Sequence, residues 1–171
     1  MSTGTRPSAE AAPATAPLSS SPAAMATPFA TEMTPRPFRV VDRVRETPDT
    51  WTLRLEPADG GPTIDAVPGQ FTMVYAFGVG EVPLSVSAIP ADGAPLTHTV
   101  RAVGAVTEAI CAAKPGDVLG VRGPFGRGWP LDEAVGRDVL VIAGGLGLAP
   151  LWPVVHALAR RDRAGRAAAV L

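Results

Sequence analysis

The stretch DVLVIAGGLGLAP, residues Asp138 to Pro150, decides the reading of this chain. Val139, Leu140, Val141 and Ile142 are an unbroken apolar run rich in β-branched residues, the pattern of a parallel strand covered on both faces. Gly144, Gly145 and Gly147 follow, and Pro150 suits the first turn of a helix, where its missing N–H has no partner to lose. Strand, glycine loop and helix therefore succeed one another. Unpaired amides and the positive end of the helix dipole favour an anion such as a pyrophosphate at such a junction. A ligand-free glycine turn between strand and helix reads the same way, and GGLG departs from the GxGxxG spacing, so the residues upstream carry the distinction.

Those residues alternate. Phe38, Val40, Asp42 and Val44 share one parity of a mixed strand, and Thr47-Pro48-Asp49 turns the chain. Trp51, Leu53 and Leu55 then alternate with Thr52, Arg54 and Glu56, placing an apolar row inward and a polar row outward. A loop rich in Gly, Pro and Asp leads to a third strand at Phe71 to Tyr75. In the fourth, Val82 to Ala88, Ser85 and Ser87 lie on the face opposite Leu84 and Val86, and Pro83 belongs at a strand start or edge. Leu96 to Val103 returns as a fifth strand, Val106 to Ala113 reads as a short helix opened by Gly104, and Val118 to Arg122 is a sixth strand. Six short strands and one small helix fit a closed or nearly closed antiparallel barrel. Thr107 and Glu108 in the first turn of the helix either satisfy its free amides or leave them to a phosphate, with Arg101 opposite as the planar cation.

Residues 1–35 are mostly Ala, Pro, Ser and Thr with few large apolar side chains, and are expected to be a disordered tail. The barrel is expected over 36–130 and an α/β unit over 137–171. With 171 residues and a net charge of −1, the chain suits one full domain plus a remainder and carries no basic footprint for nucleic acid or anionic membrane. Its single cysteine, Cys111, excludes a disulfide framework and any iron-sulfur cluster held by several cysteines of these residues, and is expected to be a buried thiol. His98 and His156 are isolated and are assigned neither to catalysis nor to a metal. No run approaches the roughly 18 apolar residues of a membrane helix. A cytoplasmic protein is the expectation.

The ordered series PGQF (68–71), PLSVS (83–87), HTVRAVGAVTEAI (98–110), KPGD (114–117), RGPFGRG (122–128) and GGLGLAP (144–150) resembles the ferredoxin-NADP reductase superfamily. Within it, the likeness is to flavin subunits of the hydrogenase gamma or anaerobic sulfite reductase type, and covers about Arg36 to Leu171. The resemblance implies a flavin-binding barrel followed by an NAD(P)-binding α/β domain, with hydride passing between NADH or NADPH and FAD and electrons going on to a redox partner, such as hydrogenase or reductase subunits. It implies a catalytic position for Ser85 near flavin N5, with Val82, Pro83 and Leu84 along the ring. Thr99, Val100 and Arg101 are implied at the ribityl and pyrophosphate region, and Val106 and Thr107 at the phosphate. Gly144, Gly145, Gly147 and Pro150 are implied at the nicotinamide dinucleotide.

Many members of that family carry an arginine and a tyrosine where this chain has Val82 and Leu84, which leaves Arg101 with more of the charge compensation. Leu151, Val154, Val155 and Leu158 make the inward face of the second helix. Arg160, Arg161 and Arg163 stand at its C-terminus, Gly165 closes it, and Ala167 to Leu171 starts a second parallel strand. The nicotinamide half-site and the cysteine cluster of such relatives are absent, and the chain is read as a truncated form. Two further readings stand beside the oxidoreductase: a flavin-holding module without a complete nicotinamide site, inactive alone, and a barrel that binds no flavin.

Overall fold

In the computed structural model, strands β1 (Arg36–Thr47), β2 (Thr50–Pro57), β3 (Phe71–Ala76), β4 (Gly80–Ser85), β5 (Leu96–Arg101) and β6 (Val118–Phe125) form one sheet in the order β4-β3-β6-β1-β2-β5. The structure describes Met1, residues 33–89 and 94–160, and the backbone of 167–170. The expected tail at 1–35 lies almost wholly outside the described residues, as do Arg161, Arg163 and Gly165.

Every pairing in the six-stranded sheet is antiparallel. Phe38, Val40, Leu53, Leu55, Val74, Leu96, Val100 and Val121 point inward and are at most 1% exposed, so the inward parity of five strands meets in one apolar core. The expected parity of β1 holds only to Val40. A bulge between Val40 and Asp42 shifts the register against β2, and Val44, on the same parity in the sequence, emerges into solvent. Trp51 is also only partly buried, its indole covered instead by the guanidinium of Arg43, 3.4 Å from the ring centroid.

Helix α1 (Ala105–Ala112) packs on β3, β4 and β5, with Ile110 and Cys111 buried beneath it. The Cys111 Sγ lies 3.6 Å from the Val100 carbonyl, and burial pushes the thiol pKa up, as suits a core thiol. Beyond β6, a 3-10 turn (Leu131–Ala134) leads to β7 (Val139–Ile142), a second 3-10 turn (Gly145–Gly147) and α2 (Leu148–Ala159). Strand β8 (Ala167–Val170) pairs parallel with β7, as a βαβ crossover requires. Val154 and Leu158 of α2 pack with Val141, Leu151 and Val155 in a second small core. The run at β7 has the pattern of a strand covered on both faces, but Leu140 and Ile142 are 61% and 68% exposed, because α2 covers one face of this two-stranded sheet and no described element covers the other.

Candidate functional site: the split between β4 and β5

Strands β4 and β5 end the sheet order, and their facing edges meet only beyond Ser85, where Ala88 bridges Thr97 and the Ser87 N–H donates to the Thr97 carbonyl over 2.9 Å. Between this clasp and α1 the barrel wall is split. The alternation of ladder bonds fixes which groups face the gap. Val86 N–H turns to Gln70 on the β3 side, so Ser85 and Pro83 present their edges to the split; Thr97 turns to Ser87, so Thr99 and Arg101 face it from β5. Pro83 has no N–H to leave unpaired there, which accounts for a proline on this edge. Val82 and Leu84 are half-buried and pack against the core, while Ser85 and Ser87 occupy the opposite parity, as the sequence pattern indicates.

Ser87, rather than Ser85, is drawn into the hydrogen-bonded floor. Its hydroxyl donates to the Thr97 carbonyl at 3.2 Å and accepts from Thr99 Oγ1 at 3.2 Å; the hydroxyl proton of Thr99 is thereby used, so Thr52 donates to Thr99 across 3.0 Å. This directed chain of hydroxyls lies in a cleft of about 770 Å³ between the barrel and the glycine loop, walled by Asp49, Arg54, Arg101, Gly145, Leu146 and Trp152 among others. Thr99, Arg101 and Gly145 of the anticipated residues reach this cleft. Pro83 and Ser85 turn their backbone edges to the split and Val82 and Leu84 pack against the core, none of the four lining the cleft itself; Val100 faces the core, and Val106 and Thr107 open α1.

Arg101 is already paired through its Nε. Its Nε donates to Asp49 Oδ2 over 2.6 Å, and this contact, with a hydrogen bond from Thr47, holds the Asp49 carboxyl below the usual range. Both side chains are about half exposed, so the pair is screened and exchangeable. Thr107 caps its own turn: Oγ1 accepts from the amides of Val103 and Gly104 at 3.0 and 3.1 Å and donates to the Gly104 carbonyl. The amides of Ala105 and Val106 are left as donors at the start of α1.

In the glycine loop only Gly145, at φ +51°, has a backbone conformation that demands glycine. A Cβ at Gly144, Gly145 or Gly147 would meet no atom within 4 Å. Packing among the described residues therefore does not explain the other two. Pro150 is the third residue of α2, in the first turn as expected, and a second proline, Pro153, lies inside the helix. Asp49 and Trp152 are not singled out by sequence reasoning: Asp49 sits in a turn signal and Trp152 among apolar helix residues, and neither place marks a cleft. Among the described residues no group of three or more His, Cys, Asp or Glu is placed to hold a metal ion, and no helix is long and apolar enough to cross a membrane.

Comparison with known proteins agrees with this architecture, although no family model matches the chain. It is 43% identical over 122 residues to a probable dihydroorotate dehydrogenase B (NAD(+)) electron transfer subunit of Methanocella arvoryzae, covering 71% of this chain and 43% of that protein. It is 40% identical over 121 residues to the sulfhydrogenase 1 subunit gamma of Pyrococcus furiosus, covering 70% of this chain and 41% of that protein. The chain thus spans less than half the length of these curated relatives. Among solved structures, the NADH-dependent reduced ferredoxin-NADP oxidoreductase, studied for flavin-based electron bifurcation, superposes with a TM-score of 0.67 at 28% identity over 78% of this chain and 47% of that one. The chain is a homologue of hydrogenase gamma and dihydroorotate dehydrogenase B electron-transfer subunits, with the barrel and following α/β unit of ferredoxin-NADP reductase-like proteins.

Proposed function

We propose that this chain is the flavin-holding part of an NAD(P)H-linked electron-transfer subunit, with FAD lying along the split between β4 and β5. The observation that carries the reading is the split itself: two strand edges whose backbone groups face one another without a ladder, beside a helix that presents free amides. A flat heteroaromatic ring with donors and acceptors on its rim can satisfy such edges, and a diphosphate suits the amides of Ala105 and Val106. When bound, the flavin supplies the two-electron to one-electron chemistry that links nicotinamide to a separate redox partner.

The chain's own residues supply binding and orientation. Val82 and Leu84 offer an apolar flank, which an arginine or tyrosine would make more polar or more extended. Ser85 presents a hydroxyl from the β4 edge as the donor near the reacting end of the ring. Thr99 and Arg101 present the β5 edge. Arg101 has its Nε committed to Asp49 and its two Nη groups left as donors, so a phosphate would share the guanidinium with a carboxylate, and anion binding here is weighed against a second negative partner. Gly144 and Gly147, with no packing duty among the described residues, leave the loop open for the close approach of a second dinucleotide, NADH or NADPH. The residues 36–130 and 137–171 act as the two binding units, in a reducing compartment such as the cytoplasm, beside partner subunits of the kind its relatives' names describe.

The test is a titration of the purified full chain with FAD, followed by anaerobic addition of NADH or NADPH. Stoichiometric uptake with bleaching of the visible band supports the whole proposal. Uptake without bleaching leaves a flavin-holding module that does not accept hydride by itself, and no uptake refutes the flavin reading.

A further inference from the structure

Where β4 and β5 part, one side chain spans the divergence. His98 lies on the inward face of β5, 1% exposed, with Nδ1 2.9 Å from the Ser85 carbonyl oxygen and Nε2 3.1 Å from Thr72 Oγ1 on β3. A carbonyl oxygen only accepts, so Nδ1 carries the proton and Nε2 of the neutral ring accepts from the Thr72 hydroxyl. Thr72 is fully buried and has no solvent to turn to. Tautomer and ring orientation are thereby determined by two partners on two different strands.

We propose that His98 is the positioning residue for Ser85: the neutral ring, clamped by Thr72, holds the Ser85 carbonyl and so sets where the Ser85 hydroxyl stands on the edge of the split. The inference rests on the reading that flavin occupies the split, and gives a duty to a residue that this reading leaves idle. An aliphatic side chain of similar size fills the same volume without needing two polar partners, so packing alone gives no reason for an imidazole here. The Ser85 carbonyl faces a gap where β5 offers no ladder N–H; His98 supplies the missing donor from within the barrel. Burial pushes the ring pKa down to about 4, so the arrangement persists throughout the neutral range.

The test compares wild type, His98→Leu, His98→Asn and Thr72→Val, all as the full chain titrated with FAD and each checked for folding by circular dichroism. His98→Leu is expected to weaken FAD about tenfold, equivalent to about 1.4 kcal/mol, and to alter the fine structure of the visible band. His98→Asn retains an N–H donor close to the Nδ1 position and is expected to restore most of the affinity and the band shape. Thr72→Val, which unclamps the ring with little loss of volume, keeps the inference testable where His98→Leu does not fold; it is expected to fall between the two. Nitrogen NMR of the histidine ring in wild type is expected to show the Nδ1–H tautomer. Wild-type affinity and band shape in both His98→Leu and Thr72→Val, or an Nε2–H tautomer, would overturn the inference while leaving the flavin reading intact. A wild-type chain that takes up no FAD overturns both.

Discussion

Acidification should destabilise this fold through His98 in a window of its own. The folded-state pKa of about 4 lies below the ordinary histidine value of 6.5 because burial disfavours the cation. From pH 7.5 down to 6.5 both folded and unfolded chains are largely neutral at this residue, and little changes. Between 6.5 and 4 the unfolded chain takes up a proton that the folded chain refuses, so stability falls as pH falls. Between pH 7.5 and pH 5 the difference amounts to about 2 kcal/mol, rising to about 3 kcal/mol at pH 4, where the folded ring is half protonated and the slope has fallen by about half. For a domain of this size a 2 kcal/mol loss lowers Tm by roughly 10 °C. The assay is urea unfolding followed by tryptophan fluorescence at fixed ionic strength, comparing wild type with His98→Asn. Asp49, Asp59 and Glu81, held below their ordinary values by hydrogen bonds and arginine partners, are shifted in the same direction but from lower ordinary values: their stabilisation is present above about pH 4 and is lost below it. They therefore contribute little between pH 7.5 and 5, the range over which the two proteins are compared. Equal pH dependence of wild type and His98→Asn between 7.5 and 5 would refute the reasoning.

Other perturbations have equally definite outcomes. Ile110→Ala removes the buried anchor of α1 and is expected to cost about 2–4 kcal/mol in urea unfolding, with loss of FAD binding as the helix detaches. Thr99→Val breaks the hydroxyl chain at its middle, leaving Thr52 and Ser87 each short of a partner, and should cost about 1–2 kcal/mol by the same assay. Asp49→Asn weakens the hold on Arg101 and is expected to tighten FAD binding in low salt, an advantage that fades as salt is raised; a weaker complex would show that Asp49 orients the arginine rather than competing for it.

The barrel is legible in the sequence because its strands are short, alternate cleanly and are separated by turn residues whose backbone demands are local. Leu53 and Leu55 inward, Ser85 and Ser87 opposite Leu84 and Val86, and the helix after Gly104 all follow from period and punctuation. The bulge in β1 is not legible, since an added residue changes parity without changing composition, and Val44 reads as core until the register with Thr52 is known. Arg101 and Asp49 stand 52 residues apart, and nothing in either neighbourhood announces the pair that strand β2 and strand β5 bring together. Thr107 shows a related ambiguity: a hydroxyl at the start of a helix suits a phosphate or its own turn, and in the fold it accepts from the amides of Val103 and Gly104. The glycine loop is legible as strand, turn and helix, whereas the openness around Gly144 and Gly147 depends on what does not pack there. His98 has no histidine or cysteine near it in sequence to suggest a role, because its partners, Ser85 and Thr72, lie on other strands.

The central claim, that flavin lies in the split between β4 and β5, is tested most directly by residue-resolved amide hydrogen exchange of the full chain with and without FAD. The expected result is new protection at the amides of Ser85, Thr99 and Arg101 and at Ala105 and Val106 opening α1, with β1 and β6 unchanged. FAD uptake with protection confined to other elements would contradict it.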